Sequence, residues 1–231
     1  MAKAGAAVAT SLQRQETPRG ETTRLRIRTE ACELFYRQGF RATTMREITT
    51  AAGLTPAGFY NHYDSKDELL LAIVVDAFTR LDEQVSTASA RSGEGATARL
   101  VALVRTMTLW HCDNIQQARV VNREAQELEE SLLFTVREHR RRLRLLAEEI
   151  ITAGLASGEF VLPDAPVDVT ARVMATAVLD FVRSISPWYL DAKVLRPEQL
   201  ADVLVALVLR MVGAEAGAGS PAVRPSPRAR R

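Results

Sequence analysis

The chain has 231 residues, 47% of them hydrophobic and 25% charged, and its 30 Lys and Arg nearly balance its 28 Asp and Glu. That is the composition of a soluble globular protein long enough to bury a real core. The apolar run Val203 to Leu209, which no other run exceeds in length, is far shorter than the roughly 20 residues a membrane span needs. Cys32 and Cys112 make neither a disulfide framework nor a Cys-x-x-Cys metal site, and a net charge of +2 does not by itself imply nucleic acid.

Residues 1–20 are rich in Ala, Gly, Thr and Gln and read as a flexible arm; Thr10 and Ser11 interrupt the Ala-rich stretch, so no cleaved signal peptide is expected. A first helix is predicted from Thr22 or Thr23, with Ile27, Ala31, Leu34 and Phe35 on one face and Gly39 as its C-cap. Thr44-Met45-Arg46-Glu47 is a capping box that opens a short second helix, with Ile48, Ala51 and Ala52 on its buried face and Gly53 at its end. Thr55 caps a brief third helix with Pro56 at its first position, and Ser65 to Glu68 is a second capping box. A fourth helix follows from Lys66 to Ala90, a fifth from Ala96 to Cys112, and a short polar sixth after Asp113. A long seventh is predicted from Arg123 to Gly154, an eighth from Val167 to Ser186 and a ninth from Pro197 to Gly213. The expectation is all-α. The tail after Gly213, with Arg224, Arg228, Arg230 and Arg231, reads as disordered.

Residues 22–63 therefore form three short helices, the second and third joined by the tight turn Ala52-Gly53-Leu54. This is the pattern of a helix-turn-helix. The third helix presents Thr55, Ala57, Gly58, Tyr60, Asn61 and His62, small or hydrogen-bonding residues that let a helix approach DNA closely. The run Phe35 to Ile48, then Ala51-Ala52-Gly53-Leu54-Thr55, then Phe59-Tyr60-Asn61-His62-Tyr63-Asp64-Ser65-Lys66 to Leu70, resembles the DNA-binding domain of the tetracycline-repressor (TetR) family. The resemblance covers about residues 23–75. It implies an all-α homodimer whose C-terminal domain binds a small ligand and so changes affinity for DNA. It implies phosphate contacts at Thr43, Thr44, Tyr60 and Lys66 and a recognition helix from Thr55 to Asn61, including Ala57 and Gly58. Pro56 and Ala57 stand where relatives often carry Lys and Gly, and proline removes a donor there. A lysine at position 66 opposes the dipole of the helix it opens, which favours a phosphate partner. Arg24, Arg26 and Arg28 are expected to face solvent, and Arg14 and Arg19 to lie in a solvated arm.

The C-terminal half offers no nucleophile–base pair. His111-Cys112-Asp113 has no second histidine at triad or ligand spacing, so neither an enzyme, a metal site nor a cofactor is expected. Most apolar residues here are core, but Met107, Trp110, His111, Asn114, Asn122, Phe134 and Phe181 combine apolar and polar groups as a ligand pocket between helices requires. Arg137, Arg140, Arg141, Arg142 and Arg144 crowd the long helix. Glu138 stands four before Arg142 and Arg144 four before Glu148, a self-paired solvated face, with an anion-binding rim as the alternative. The segments 154–160 and 185–189 resemble TetR relatives that respond to acyl-CoA or steroid-CoA thioesters. Apolar stripes on the eighth helix (Val173, Ala177, Phe181, Ile185) and the ninth (Leu200, Val203, Leu204, Val205, Leu207, Val208, Met211) are wider than one internal face needs and fit a dimer interface.

The expected organisation is an arm (1–20), a helix-turn-helix domain (21–66), a ligand-binding and dimerisation domain (67–213) and a disordered tail (214–231). The expected function is a cytoplasmic repressor, released from a palindromic double-stranded operator by a small molecule such as an acyl-CoA and not associated with membranes. The fourth helix would serve as the lever between ligand and DNA. The competing reading is a helical carrier or enzyme without DNA binding.

Overall fold

The computed structural model describes residues 18–162, 167–185, 187–189 and 195–214. They form α1 (Pro18–Gln38), α2 (Met45–Ala51), α3 (Pro56–Tyr60), α4 (Lys66–Arg91), α5 (Ala96–Asp113) and α6 (Ile115–Glu124). A 3₁₀ turn (Ala125–Glu127) leads to α7 (Glu130–Ser157), α8 (Val167–Arg183) and α9 (Pro197–Met211), with no strand among the described residues. The expected tail beyond Ala214, most of the expected arm, and Ser186, the predicted end of α8, lie outside them.

Two boundaries differ from the sequence reading for physical reasons. Among the described residues helix α1 already runs from Pro18, ahead of the start at Thr22 or Thr23 read from the sequence. The Thr22 and Thr23 hydroxyls sit inside it and donate back to the carbonyls of Pro18 and Arg19, both at 3.0 Å. The single helix predicted from Arg123 is broken between α6 and α7. The chain tightens into the 3₁₀ turn, and Leu128, extended at φ −64° and ψ 147°, drops its side chain into the core.

One continuous apolar core runs through both halves. In the N-terminal half Ile27, Phe35, Ile48, Phe59 and Tyr63 are fully enclosed. The first turns of α4 bury Leu69, Leu70, Leu71 and Ile73 and join this unit to the rest, since α4 packs on α1, α5, α6 and α7. Helix α5 packs on α9, and α7 on α8.

At one corner Phe160 folds back on α7 so closely that a Cβ on Gly154 would stand 2.1 Å from its ring. Next to it, Glu159 accepts hydrogen bonds from the backbone N–H groups of Ala96 (3.0 Å) and Thr97 (2.8 Å). The Val161 N–H reaches the Val212 carbonyl at 3.0 Å.

The outward stripe on α8 is narrower than expected. Val169 and Val173 are 54% and 62% exposed, and Ala177 and Phe181 are half-buried, but Ile185 is enclosed in the core. On α9, Leu207 faces out, whereas Leu200, Leu204 and Val208 face the protein's own interior.

Candidate nucleic-acid interface and ligand cleft

The helix-turn-helix is held by short-range hydrogen bonds. The Thr44 hydroxyl accepts from the Glu47 N–H (3.3 Å) and donates to Glu47 Oε2 (2.7 Å), which also accepts from the Thr44 N–H (2.7 Å). Those bonds hold the Glu47 carboxyl below the usual carboxylate range, the Thr44 backbone N–H contributing most. The Thr55 hydroxyl accepts from the Gly58 N–H at 3.1 Å. Gly53, at φ +61°, makes the turn between α2 and α3 that an L side chain would strain. Phe59 and Tyr63 anchor α3 inward, so Ala57, Tyr60 and Asn61, spaced i, i+3 and i+4, share the outward face, with Tyr60 53% exposed. Thr44 and Thr55 are also exposed, and Gly58 is half-buried.

Two N-terminal expectations need correction, those for Thr43 and for Arg24 with Arg28, and Lys66 has partners that the sequence did not show. Thr43 is enclosed, and its hydroxyl donates to the Gly39 carbonyl (2.8 Å) and accepts from Gln38 Nε2 (3.3 Å), so it has no path to a phosphate. Lys66 already has partners within the protein. Its ammonium donates to the carbonyls of Phe40 (2.7 Å) and Thr43 (2.8 Å) and sits 4.4 Å from the centroid of the Phe40 ring. These carbonyls, without any phosphate, offset the dipole mismatch at the start of α4. Arg24 is buried over the Tyr63 ring, 4.6 Å from its centroid, and Arg28 pairs with Asp76 at 3.8 Å; Arg26 is exposed as expected.

In the C-terminal half Met107, Trp110, His111 and Asn122 line one apolar pocket with Phe78, Leu81, Val121 and Leu143. It is nearly closed, at about 20 Å³, room for about one water molecule. Burial pushes the His111 imidazole down to about 4, and Nδ1 lies 2.8 Å from the Met107 carbonyl. A carbonyl only accepts, so in the neutral ring Nδ1 carries the proton and Nε2 is left as an acceptor.

The wall formed by Asn122, Arg140, Leu179 and Arg183 is shared with an open cleft of about 540 Å³ between α6, α7 and α8. Gln126, Arg137, Arg141, Arg144, Thr176 and Asp180 also line this cleft. Most of its arginines are paired: Arg137 with Glu130 at 2.6 Å, Arg141 with Glu138 at 3.3 Å, and Arg144 with Glu148. Glu138 thus pairs three residues on, not four on with Arg142. Arg140 differs. Its Nε is buried without a hydrogen-bond partner, and burial together with the neighbouring Arg183 charge lowers its guanidinium pKa.

The other three expected pocket residues are elsewhere. Asn114 donates to the Trp110 carbonyl at 3.0 Å and lines a separate cleft with Arg28, Cys32 and Asp76. Phe134 is 68% exposed on α7, and Phe181 packs against the core away from the pocket lining. The sequence reading missed Phe78, Leu81, Gln126 and Arg183. Phe78 and Leu81 are ordinary core positions in any periodicity, and only the approach of α4 to α5 makes them pocket residues. Among the described residues no group of three or more His, Cys, Asp or Glu is placed to hold a metal ion, and no described helix is long and apolar enough to cross a membrane.

A tight-turn helix pair with an exposed second helix, carried on a helical body with an internal cleft, defines a helix-turn-helix transcriptional regulator. The family model for bacterial regulatory proteins of the tetR family matches residues 27–73, and that for the tetracyclin repressor-like C-terminal domain matches residues 93–212. The chain belongs to the TetR family and is a DNA-binding transcriptional regulator. It is 28% identical over 184 residues to the HTH-type transcriptional repressor KstR2 of Mycolicibacterium smegmatis, covering 78% of this chain and 85% of the relative. A tetR-family regulatory protein from Rhodococcus RHA1 superposes with a TM-score of 0.76 at 30% identity, covering 83% of this chain and 97% of that one. AibR, solved in complex with isovaleryl coenzyme A and operator DNA, superposes with a TM-score of 0.70 at 26% identity, covering 80% and 97%.

Proposed function

We propose that this regulator is a repressor that grips a palindromic operator as a homodimer and releases it when an acyl-coenzyme A thioester enters the cleft between α6, α7 and α8. One observation carries the ligand class: a guanidinium-lined cleft opens, through a shared wall, onto an apolar pocket. Such a site suits an amphiphile with an anionic head and a short apolar tail. The buried Arg140 Nε lacks a partner that an anion would supply. The repressor relatives and the isovaleryl-coenzyme A complex of AibR agree with this reading. The nearly closed pocket requires Trp110, Met107 or Phe78 to move as the tail enters.

Residues 21–66 then read DNA, and residues 67–213 bind ligand and partner. Thr44, Thr55, Tyr60 and Asn61 contact the backbone or base edges, while Ala57 and Gly58 allow close approach. Lys66 contributes the one ammonium N–H beyond its two carbonyl bonds. The α8 stripe of Val169, Val173, Ala177 and Phe181, with Leu207 of α9, packs on its counterpart in a second copy. The protein acts in the cytoplasm and carries out no chemistry of its own.

Fluorescence anisotropy with DNA from upstream of its own gene tests this. Affinity should fall steeply as salt rises, and isovaleryl-coenzyme A should weaken operator binding while free isovalerate and free coenzyme A do not. If no acyl-CoA of any chain length alters operator affinity, the ligand assignment is wrong while DNA binding stands. A monomer by light scattering at micromolar concentration would remove the dimer.

A further inference from the structure

One short segment touches both the cleft and the DNA-binding unit. Asn122 and Gln126, four residues apart, line the cleft. Between and just beyond them, Glu124 and Glu127 point the other way, to the turn joining α1 to α2. Glu124 is buried, and its Oε2 accepts from the Phe40 N–H at 3.1 Å across 84 residues of sequence. Its other oxygen lies 3.4 Å from Arg123 Nε and 3.8 Å from where a Cβ of Gly39 would stand. Glu127 forms an ion pair with Arg41.

The gripped turn positions the helix-turn-helix. Phe40 and Thr43 direct their carbonyls to Lys66, the Thr43 hydroxyl bonds back to Gly39, and α2 begins at Met45. The turn is therefore clamped from α4 on one side and from the α6 end on the other. The α6 end is also where α-helix gives way to a 3₁₀ turn, a junction that can tighten or relax by small backbone rotations. On α4, by contrast, the pocket residues Ala77, Phe78 and Leu81 are separated from Lys66 by several turns of fully packed helix.

We infer that residues 122–127 form a two-faced coupling segment, in which Glu124 and Glu127 are positioning residues that carry ligand occupancy from Asn122 and Gln126 to the α1–α2 turn. The inference rests on the proposed ligand site. A thioester that draws Asn122 and Gln126 into the cleft shifts the 3₁₀ junction. Through the Glu124–Phe40 bond and the Glu127–Arg41 pair, it reorients α2 and α3 relative to the body. This route acts beside the α4 lever, and it makes the two carboxylates specific to coupling. Neither touches the ligand cleft, and neither is among the DNA-contacting residues.

The test measures operator affinity of the full-length protein with and without saturating isovaleryl-coenzyme A; the ratio is the coupling factor, of the order of 5–150-fold in allosteric proteins generally. Glu127→Ala is expected to keep both the ligand-free operator affinity and the isovaleryl-coenzyme A affinity within about twofold, yet to reduce the coupling factor by about threefold or more. Glu124→Ala, which removes the acceptor for the Phe40 N–H, should do the same, whereas Glu124→Gln, which retains it, should keep the factor. Arg41→Glu combined with Glu127→Arg should restore the factor. A coupling factor unchanged in both Glu127→Ala and Glu124→Ala would overturn the assignment, as would a loss that follows weakened ligand binding.

If isovaleryl-coenzyme A does not bind the parent protein at all, it is the ligand reading that has failed, and hydrogen exchange then tests the segment without ligand. Operator DNA should slow exchange of amides 122–128 in the parent and not in Glu124→Ala. Equal exchange with and without operator in the parent would overturn the coupling role.

Discussion

Helices α2 to α4 on the DNA-binding side and α5 to α7 of the ligand half start by different means, while α9 is capped locally by Gln199. In the DNA-binding half, Thr44, Thr55 and Ser65 each accept a hydrogen bond from an N–H three residues on, so α2, α3 and α4 are capped from within their own first turns. In the ligand half, α5, α6 and α7 follow Gly95, Asn114 and Glu129, and none of these side chains makes a cap. The start of α5 is satisfied from 62 and 63 residues away by Glu159. The reading head is thus specified locally and holds one shape, as docking to two fixed half-sites requires. The body is specified by tertiary contacts, so its helices can shift against one another as a cleft between them fills.

Mutations can break or sharpen that contrast. The largest effect belongs to the point where the local half depends on packing. Phe59→Ala removes a fully enclosed ring from a small unit and is expected to cost about 3–5 kcal/mol in urea unfolding, with loss of operator binding. A cost below about 1 kcal/mol would mean that the caps alone hold α3.

In the body, His111 is buried neutral, its pKa pushed from 6.5 to about 4. The unfolded chain takes up a proton in this window that the folded chain refuses, so the contribution is complete above pH 6.5 and fades as pH falls toward 4. Unfolding at stepped pH should show the parent losing up to about 3 kcal/mol more than His111→Gln over that interval. Parallel pH profiles would contradict the burial argument.

Next is the long-range cap. The two N–H groups hold the Glu159 carboxyl at about 2 instead of the ordinary 4.5, so its contribution is full above pH 4.5 and lost as pH falls through about 2. Glu159→Gln should cost about 1–2 kcal/mol at pH 7 and flatten the acid limb of the stability curve. Thr55→Ala, a purely local cap, should cost about 0.5–1 kcal/mol, and circular dichroism melts should place it below Glu159→Gln. The reverse order would erase the distinction between the halves.

The same contrast explains what could be read from the sequence. The capping box at Thr44, the N-cap Ser65, the Thr55-Pro56 start and Gly53 are short-range signals, and the helices stand where those signals put them; the reciprocal half of the box expected at Ser65 is not formed, because Glu68 accepts from the Asp64 N–H instead. Met107, Trp110, His111 and Asn122 were also legible, because the apolar and polar mixture at the end of α5 and on α6 does line a pocket. Phe134 and Phe181 were not: periodicity tells which residues are apolar, not which neighbour covers them. Asn114 was lost to a local bond with the Trp110 carbonyl. The partners of Lys66 lie 23 and 26 residues away, where no local rule reaches. The break between α6 and α7 was hidden because Leu128 keeps the apolar spacing while the backbone leaves the helix.

The corner where Phe160 lies on Gly154, Glu159 caps α5 and Val161 bonds to Val212 also bears on the order of folding. It joins the start of α5, the end of α7 and the end of α9, segments that meet only after long loops have closed. Helical turns form in about a microsecond, whereas closing such loops costs chain entropy before any contact repays it. The corner is therefore expected to be unformed in the transition state, with a φ value near zero for Glu159→Gln, so that its stabilisation appears almost wholly as slower unfolding. A φ value near one would instead put this corner in the folding nucleus. With a value near zero, the body gains from a single distant carboxylate a longer lifetime in the folded state and no gain in the speed of reaching it.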